Sequence, residues 1–481
     1  MLIFNLDIYK WERGTLFIEE GHLSARLGLL VGEGRPTRQV STPIGQPCPF
    51  SQPSRPTVHL SQLSRPTVHL SQPSRPTKFI FNRHLWAHVP NIDFDSEHHT
   101  KDRLSRGTKF CDIIYRVMMM YKVQNVNNFR LSYKDACSEY QLETCIATAI
   151  LRNVKNLYLD LVNQVQLPLC IFAYKTLVEL KLNNCRFIPS SSSGDLYLPA
   201  LKILYLASVE YESSKSLEHL IAGCPVLEEL FIVRSAVDPL VRCYISSPTL
   251  NKLVLFTNFT NDGAFTLTYS VRIKTPALKY LELQDTVSKD LSFGPLTFLV
   301  TANVQFHNYD DPSQGDIIYS RSVLKLFRRL CNVKSLVFCI SLCNKVAYRY
   351  ESSASILKFP NLTSLSFSGD WRLISIFLAA ADNLEALTIE TVNNNLTSYR
   401  FPDLVPTCLT SRLRMVKMDQ FKCTTLEFIM TAYLLKNAKV LKKMDIISQQ
   451  IGTHDFKAKF EALNHISSFR RGSDECQVVF R

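Results

Sequence analysis

Apolar residues along most of this chain fall into one short phrase: apolar, two variable residues, apolar, one variable residue, apolar. It reads Leu177-Val-Glu-Leu180-Lys-Leu182, Leu201-Lys-Ile-Leu204-Tyr-Leu206 and Leu227-Glu-Glu-Leu230-Phe-Ile232, then Leu250-Asn-Lys-Leu253-Val-Leu255 and Leu278-Lys-Tyr-Leu281-Glu-Leu283. From Leu180 to Leu281 the middle apolar residue returns every 23 to 28 residues. One short strand per unit at that period is the signature of a leucine-rich-repeat solenoid. Weaker copies extend it upstream at Val154 to Leu159 and downstream at Leu299 to Val304, Val333 to Phe338, Leu362 to Phe367, Leu384 to Ile389 and Leu413 to Met418. Asn308 to Gly315 is a polar, turn-rich insertion that loosens the spacing.

The phrase has a simple physical origin. Alternate side chains of a strand face opposite sides, so Leu204 and Leu206 point inward while Ile203 and Tyr205 point outward. One such strand cannot bury its apolar side alone, and stacked copies make a continuous core. The predicted fold is therefore an α/β solenoid, an irregular horseshoe whose concave strand face is a binding surface before it is anything else.

Helical periodicity appears between and around the strands. Phe110 to Met120 spaces Ile113, Ile114, Val117 and Met118 as a helix face, and Leu142 to Leu151 predicts another helix. Ser216 to Ile221 and Ser322 to Phe327 read as convex-side helices. Thr424 to Lys443 predicts an amphipathic helix with Leu426, Ile429, Met430, Tyr433, Leu434 and Leu441 on one side, and Gln477 to Phe480 a final strand.

Residues 46–80 contain a decapeptide repeat, Ser51-Gln-Pro-Ser-Arg-Pro-Thr-Val-His-Leu60 and its near copies. Prolines 53, 56, 66, 73 and 76 remove backbone donors and exclude helix interiors, so residues 1–80 are expected to be extended and disordered.

Composition narrows the functional classes. With 46% hydrophobic and 20% charged residues, most of the 481-residue chain is expected to fold. The longest uncharged apolar run, Leu373 to Ala381, is far short of a membrane span, and the amino terminus has no secretory signal. The chain is expected in the nucleus or cytoplasm, with its 14 cysteines as reduced thiols. A net charge of +13 admits an acidic partner or nucleic acid, but the charges are dispersed. The densest run, Lys436, Lys439, Lys442 and Lys443, reads as a solvated helix face.

Catalytic signatures are missing. Gly32-x-Gly34 lacks the Lys-Ser or Lys-Thr of a phosphate loop, and there is no H-E-x-x-H or G-x-S-x-G segment. His98 and His99, near Asp93, Asp95 and Glu97, read as solvated loop residues more readily than as metal ligands. No cofactor, metal or catalytic residue is assigned, and the chain is read as a non-enzyme.

Three blocks carry a resemblance to a known family. Arg83-His-Leu-Trp-Ala-His-Val-Pro-Asn-Ile-Asp-Phe94 resembles the end of a plant F-box and its exit. Ala222-Gly-Cys-Pro-Val-Leu-Glu-Glu-Leu230 and Thr275-Pro-Ala-Leu-Lys-Tyr-Leu281 resemble that family's repeats. Val405-Pro-Thr-Cys-Leu409, Tyr433 to Met444 and Cys476-Gln-Val-Val-Phe480 resemble its FBD module in order and spacing. The chain is thus similar to plant F-box proteins of the leucine-rich-repeat and FBD type over about residues 81–481. Smaller departures are Cys145, where the family often has a tryptophan, and Arg471, near a usual proline.

The resemblance implies a division into a disordered stretch (1–80), an F-box remnant (81–100), a solenoid (101–400) and an FBD cap (401–481). It also implies substrate recognition for a Skp-cullin-F-box ubiquitin ligase, with an F-box that docks a Skp-type adaptor. Only the last turn of that F-box is present here, at Arg83, Leu85 and Trp86, because the proline repeat stands where its helices should be. Two alternatives remain: a leucine-rich-repeat interaction protein with no ligase role, and a basic nucleic-acid-binding solenoid. The outward residues expected to contact a partner are Tyr158, Glu179, Lys181, Tyr205, Glu229, Phe231, Lys252, Tyr280 and Glu282, since aromatics among mixed charges suit a protein or peptide ligand.

Overall fold

A computed structural model of the chain describes residues 88–96, 110–133, 139–161, 166–186, 188–189, 196–234, 240–257, 270–285, 290–307, 325–341, 358–369, 371–390, 401, 404–448 and 456–481, with two short strands nearer the amino terminus. Those two, β1 (Leu16–Ile18) and β2 (Ala25–Leu27), pair antiparallel. The decapeptide repeat, Arg83, Leu85, Trp86, His98 and His99 lie outside the described residues.

In chain order the remaining strands are β3 (Asn91–Asp95), β4 (Asn128–Tyr133), β5 (Asn156–Leu161), β6 (Glu179–Asn183), β7 (Ile203–Ala207), β8 (Glu229–Val233), β9 (Arg242–Ser246), β10 (Lys252–Thr257), β11 (Ser270–Lys274) and β12 (Tyr280–Asp285). They continue as β13 (Asp290–Phe293), β14 (Thr301–His307), β15 (Ser335–Ser341), β16 (Ser364–Ser368), β17 (Ala386–Glu390), β18 (Met415–Phe421), β19 (Lys443–Ser448) and β20 (Gln477–Phe480). Fifteen of them form one parallel sheet from β3 to β20; β9, β11 and β13 form a separate three-stranded parallel sheet.

The long sheet is the repeat phrase made physical. Leu157, Leu180, Leu204, Leu230, Leu253, Leu281, Ala302, Leu336, Leu365, Leu387 and Val416 lie opposite one another, rung after rung. All are at most 1% exposed, so the spacing and the burial have one cause. Just before most strands of the long sheet, one carbonyl receives two N–H groups from the next rung: that of Lys202 from Glu228 and Glu229, that of Lys279 from Val300 and Thr301. Register is thus held by backbone at the strand entry and by apolar side chains within it.

Among the described residues, seven α-helices accompany the sheets: α1 (Phe110–Met120), α2 (Glu139–Leu151), α3 (Ser216–Ala222), α4 (Trp371–Ala380), α5 (Thr407–Ser411), α6 (Thr425–Asn437) and α7 (Phe456–Ser467); residues 325–329 form one further helical turn. Around β15 to β17 phenylalanine replaces leucine as core filler. Phe327, Phe338, Phe359 and Phe367 all meet Phe377 of α4, with ring centroids 5.5–5.8 Å apart.

Several elements depart from the sequence expectation: β3 and β4 extend the ladder upstream of the anticipated copies, with Ile92 opposite Phe129 and Phe94 opposite Leu131. The helix predicted over Thr424 to Lys443 ends at Asn437, because Leu441-Lys-Lys-Met444-Asp-Ile446 is another copy of the repeat phrase and forms β19. Leu441 is buried as the entry residue of that rung, and of the four lysines only Lys436 lies on the helix. The small sheet β9, β11 and β13 was also not anticipated, although Cys243 and Ile245, and Val271 and Ile273, alternate as buried strand residues.

The FBD-like segment continues the solenoid. Strand β18 pairs with β17, β19 with β18 and β20 with β19, all parallel. At the start of α6 the buried Glu427 carboxylate accepts from the backbone N–H of Lys422 and Thr424, completing a capping box. At its end, Gly472 N–H donates to the Leu435 carbonyl at 2.7 Å, and a Cβ on Gly472 would sit 2.3 Å from the Lys436 oxygen.

Two predictions follow the ladder. Leu204→Ala and Leu230→Ala should each cost about 2–5 kcal/mol in denaturant melts, whereas Tyr205→Ala should cost far less; equal losses would mean the faces are assigned one residue out. A chain ended at Arg400 should be insoluble or poorly folded, because it bares the β17 edge and the apolar core beneath it; an unchanged cooperative melt would refute this.

Candidate functional site

The side of the long sheet that faces solvent is one continuous surface, because every rung offers alternate positions to it. Tyr158, Lys181, Tyr205, Phe231 and Glu282 lie in one column of the ladder, with Val254 between Phe231 and Glu282. Glu179, Glu229, Lys252 and Tyr280 lie in the neighbouring column, with Ile203 between Glu179 and Glu229. All nine residues singled out by sequence are half-buried. Arg83, Leu85 and Trp86 fall outside the described residues and are not placed.

Sequence reasoning missed the third column. Ala207 and Val233, which end β7 and β8, and Phe256, the last outward residue of β10, lie on this same side. Three rungs then make a grid: Ile203, Tyr205, Ala207; Glu229, Phe231, Val233; Lys252, Val254, Phe256. Seven of its nine positions are apolar or aromatic, and Ala207 and Val254 are only 6% exposed although they sit on the outward side. The signal was legible as the alternate position just beyond each phrase.

The two charges in the grid satisfy each other. Lys252 Nζ lies 3.3 Å from Glu229 Oε2 and 4.7 Å from the Phe231 ring centroid. Tyr205 and Phe231 meet at 5.9 Å between centroids, so the aromatic surface is continuous across two rungs. Toward the amino terminus Arg130 pairs with Asp93 at 2.8 Å and Asp95 at 3.3 Å and lies over Tyr158, while Lys181 pairs with Glu179 at 2.5 Å. Farther along the chain Lys417 pairs with Asp419 and Lys443 with Asp445.

Two carboxylates are held differently. Asp160 Oδ1 accepts from the side-chain amides of Asn183 and Asn184, at 3.0 and 3.1 Å. Glu282 accepts from Tyr280 O–H at 2.8 Å and from the Asn303 amide at 3.0 Å. Neither has a cation within ion-pair distance among the described residues.

Their fields reach the neighbouring phenols. Burial, then the hydrogen bond to Glu282 and its charge, push the Tyr280 hydroxyl up to about 12. Tyr158 is likewise pushed up to about 12, by burial first and Asp160 next, with Arg130 opposing. Tyr205 is raised by burial and by Asp160.

The grid offers apolar contact, hydrogen-bond acceptors and negative charge; farther along the same face Cys339 of β15 is half-buried, its thiol raised by burial. Burial pushes the Cys145 and Cys408 thiols up to about 11 and Cys224 to about 12. No group of three or more metal-ligating side chains occurs among the described residues, and none of the described helices is long and apolar enough to cross a membrane.

Glu282→Gln should bring the Tyr280 titration down from about 12, because it removes the negative charge that opposes ionisation; NMR of tyrosine-labelled protein reads this directly. With the folded value raised, the stability this group contributes is complete below about pH 10 and is lost as pH rises toward 12. A Tyr280 titration unmoved by the substitution would refute the coupling.

Comparison with known proteins agrees with this architecture. Residues 142–294 match the leucine-rich repeats of the FBD-associated F-box protein At5g56370, and residues 402–446 match the FBD family. Relatives in Arabidopsis thaliana include the F-box/FBD/LRR-repeat protein At4g26340, 24% identical over 82% of this chain and 91% of its own length. The F-box/FBD/LRR-repeat protein At1g78750 is 27% identical over 82% of this chain and 89% of its own length. The F-box/LRR-repeat protein At4g14103 is 28% identical over 69% of this chain and 88% of its own length.

Proposed function

We infer, from this kinship with plant F-box, leucine-rich-repeat and FBD proteins, that the chain is a non-enzymatic scaffold that recognises a protein partner on the outward face of its long sheet. The observation that carries the reading is the apolar grid of β7, β8 and β10, half-buried at seven of its nine positions and held on an in-register ladder. An aromatic and apolar cluster of that kind is where interface energy concentrates. The nucleic-acid alternative is disfavoured, since Arg130, Lys181 and Lys252 are already engaged by carboxylates on this face. Tagged full-length protein and its Phe231→Ala variant, compared in cross-linking capture from plant tissue, test the reading. The specific partner should be lost with Phe231→Ala at unchanged thermal stability, and a partner retained in full would overturn it.

Kinship with F-box proteins implies a place in a Skp-cullin-F-box ubiquitin ligase as the substrate-recognition subunit. The family's adaptor contacts come from helices that would precede Arg83, where this sequence has prolines 53, 56, 66, 73 and 76. A helix-interior proline costs about 3 kcal/mol or more, so this chain is a degenerate member that retains partner binding and docks the adaptor weakly or not at all. Calorimetric titration of the purified chain with a Skp-type adaptor should show no binding at micromolar concentrations. Micromolar or tighter binding that depends on residues 1–90 would refute the degenerate reading.

A further inference from the structure

The chain carries a formal net charge of +13, yet its outward sheet face runs the other way. From β3 to β14 the described outward positions hold six carboxylates (Asp93, Asp95, Asp160, Glu179, Glu229, Glu282) against three cations, Arg130, Lys181 and Lys252. Each of those cations is already within 3.3 Å of a carboxylate on this face. Among the described residues, the partners of Asp160 and Glu282 are neutral donors: the amides of Asn183, Asn184 and Asn303 and the Tyr280 hydroxyl. Neutral donors orient a carboxylate without cancelling its charge.

These two carboxylates flank the apolar grid. Asp160 lies on β5, two rungs before β7, and Glu282 on β12, one rung after β10. At about 4.8 Å per rung they are about 24 Å apart along the ladder, with Tyr205, Phe231 and Val254 between them. Burial, and after it the charge of Asp160 at one end and the hydrogen bond and charge of Glu282 at the other, raise the phenols of Tyr205 and Tyr280.

We propose that this face takes a basic protein segment: an apolar or aromatic side chain seated on Tyr205, Phe231 and Val254, with lysine or arginine side chains on either side meeting Asp160 and Glu282. The proposal rests on the outward face being the recognition surface and adds the chemistry of what it recognises. A cation reaching either carboxylate replaces water with a charge-assisted hydrogen bond at a site whose donors are already oriented. An acidic segment would meet uncompensated negative charge at both ends of the grid, so the same two residues exclude the wrong partner.

The test is selection of a random peptide display library on the immobilised full chain, then measurement of selected peptides by fluorescence polarisation. The expected peptides carry an apolar or aromatic residue with lysine or arginine on both sides, and bind more weakly as salt rises. Asp160→Asn and Glu282→Gln, which keep the side-chain shape and an acceptor oxygen, should each weaken them about threefold to tenfold without lowering the melting temperature. Phe231→Ala should weaken them further. Neutral or acidic peptides that are lost with Phe231→Ala but indifferent to both carboxylate variants would overturn the charge proposal and leave the recognition face standing. Peptides indifferent to Phe231→Ala, or no enrichment at all, would overturn both.

Discussion

One constraint governs this molecule: each rung of the long sheet must lie in exact register with its neighbours. A shift of one residue would turn Leu204 and Leu206 outward and drive Ile203 and Tyr205 into the core. The entry carbonyls that each bind two N–H groups of the next rung forbid that shift from the backbone side, as at Lys202, Glu228 and Lys279. Because register is fixed, outward columns are fixed too. Residues separated by some 20 to 30 positions in sequence, such as Tyr205, Phe231 and Val254, become neighbours on one surface. The candidate site is a by-product of the way the core is built.

The same constraint explains why the FBD-like segment belongs to the sheet. Its first strand repeats the phrase at Leu413, Val416 and Met418, and Val416 lies opposite Leu387. Its helix α6 would leave orphan backbone groups at both ends. The Glu427 carboxylate answers at the start, and Gly472 N–H at the end, while Ser473 Oγ–H donates to the Leu441 carbonyl between α6 and β19. These contacts bind the carboxy-terminal segment to the last rungs through backbone groups, which a loosely tethered module would not supply.

How much was legible follows from these physics. The period of the middle leucines revealed the stacked strands and their inward residues, because burial selects apolar side chains at fixed spacing. What the phrase did not convey was its extension to Ile92 and Phe94, where the repeat merges with the F-box-like exit, or to Met444, where apolar residues at Leu434 and Leu441 continue a helical spacing past the true end of α6. The small sheet of β9, β11 and β13 was hidden because each strand has only two buried apolar residues, too short a run to compete with the dominant pattern. The site was half legible. Tyr205, Phe231 and Lys252 announce themselves by type, but Ala207, Val233 and Phe256 gain meaning only once three rungs lie side by side.

Charge is where sequence averages mislead most. A total of +13 suggests a polyanion partner, but the solenoid sorts its charges by position. Exposed Lys155, Lys202, Lys279, Lys334, Arg414 and Lys442 all occupy the second place of the repeat phrase, at the strand entry along one rim. Arg242, Arg272 and Lys274 are exposed on the small sheet, where Lys274 lies over Tyr244. The outward face of the long sheet is left with more carboxylates than cations. Long-range attraction of a charged partner would respond to the whole molecule, whereas docking responds to the few side chains within a Debye length of the contact, about 8 Å at physiological salt. On the proposed reading, the grid and its flanking carboxylates, and not the net charge of the chain, select the partner.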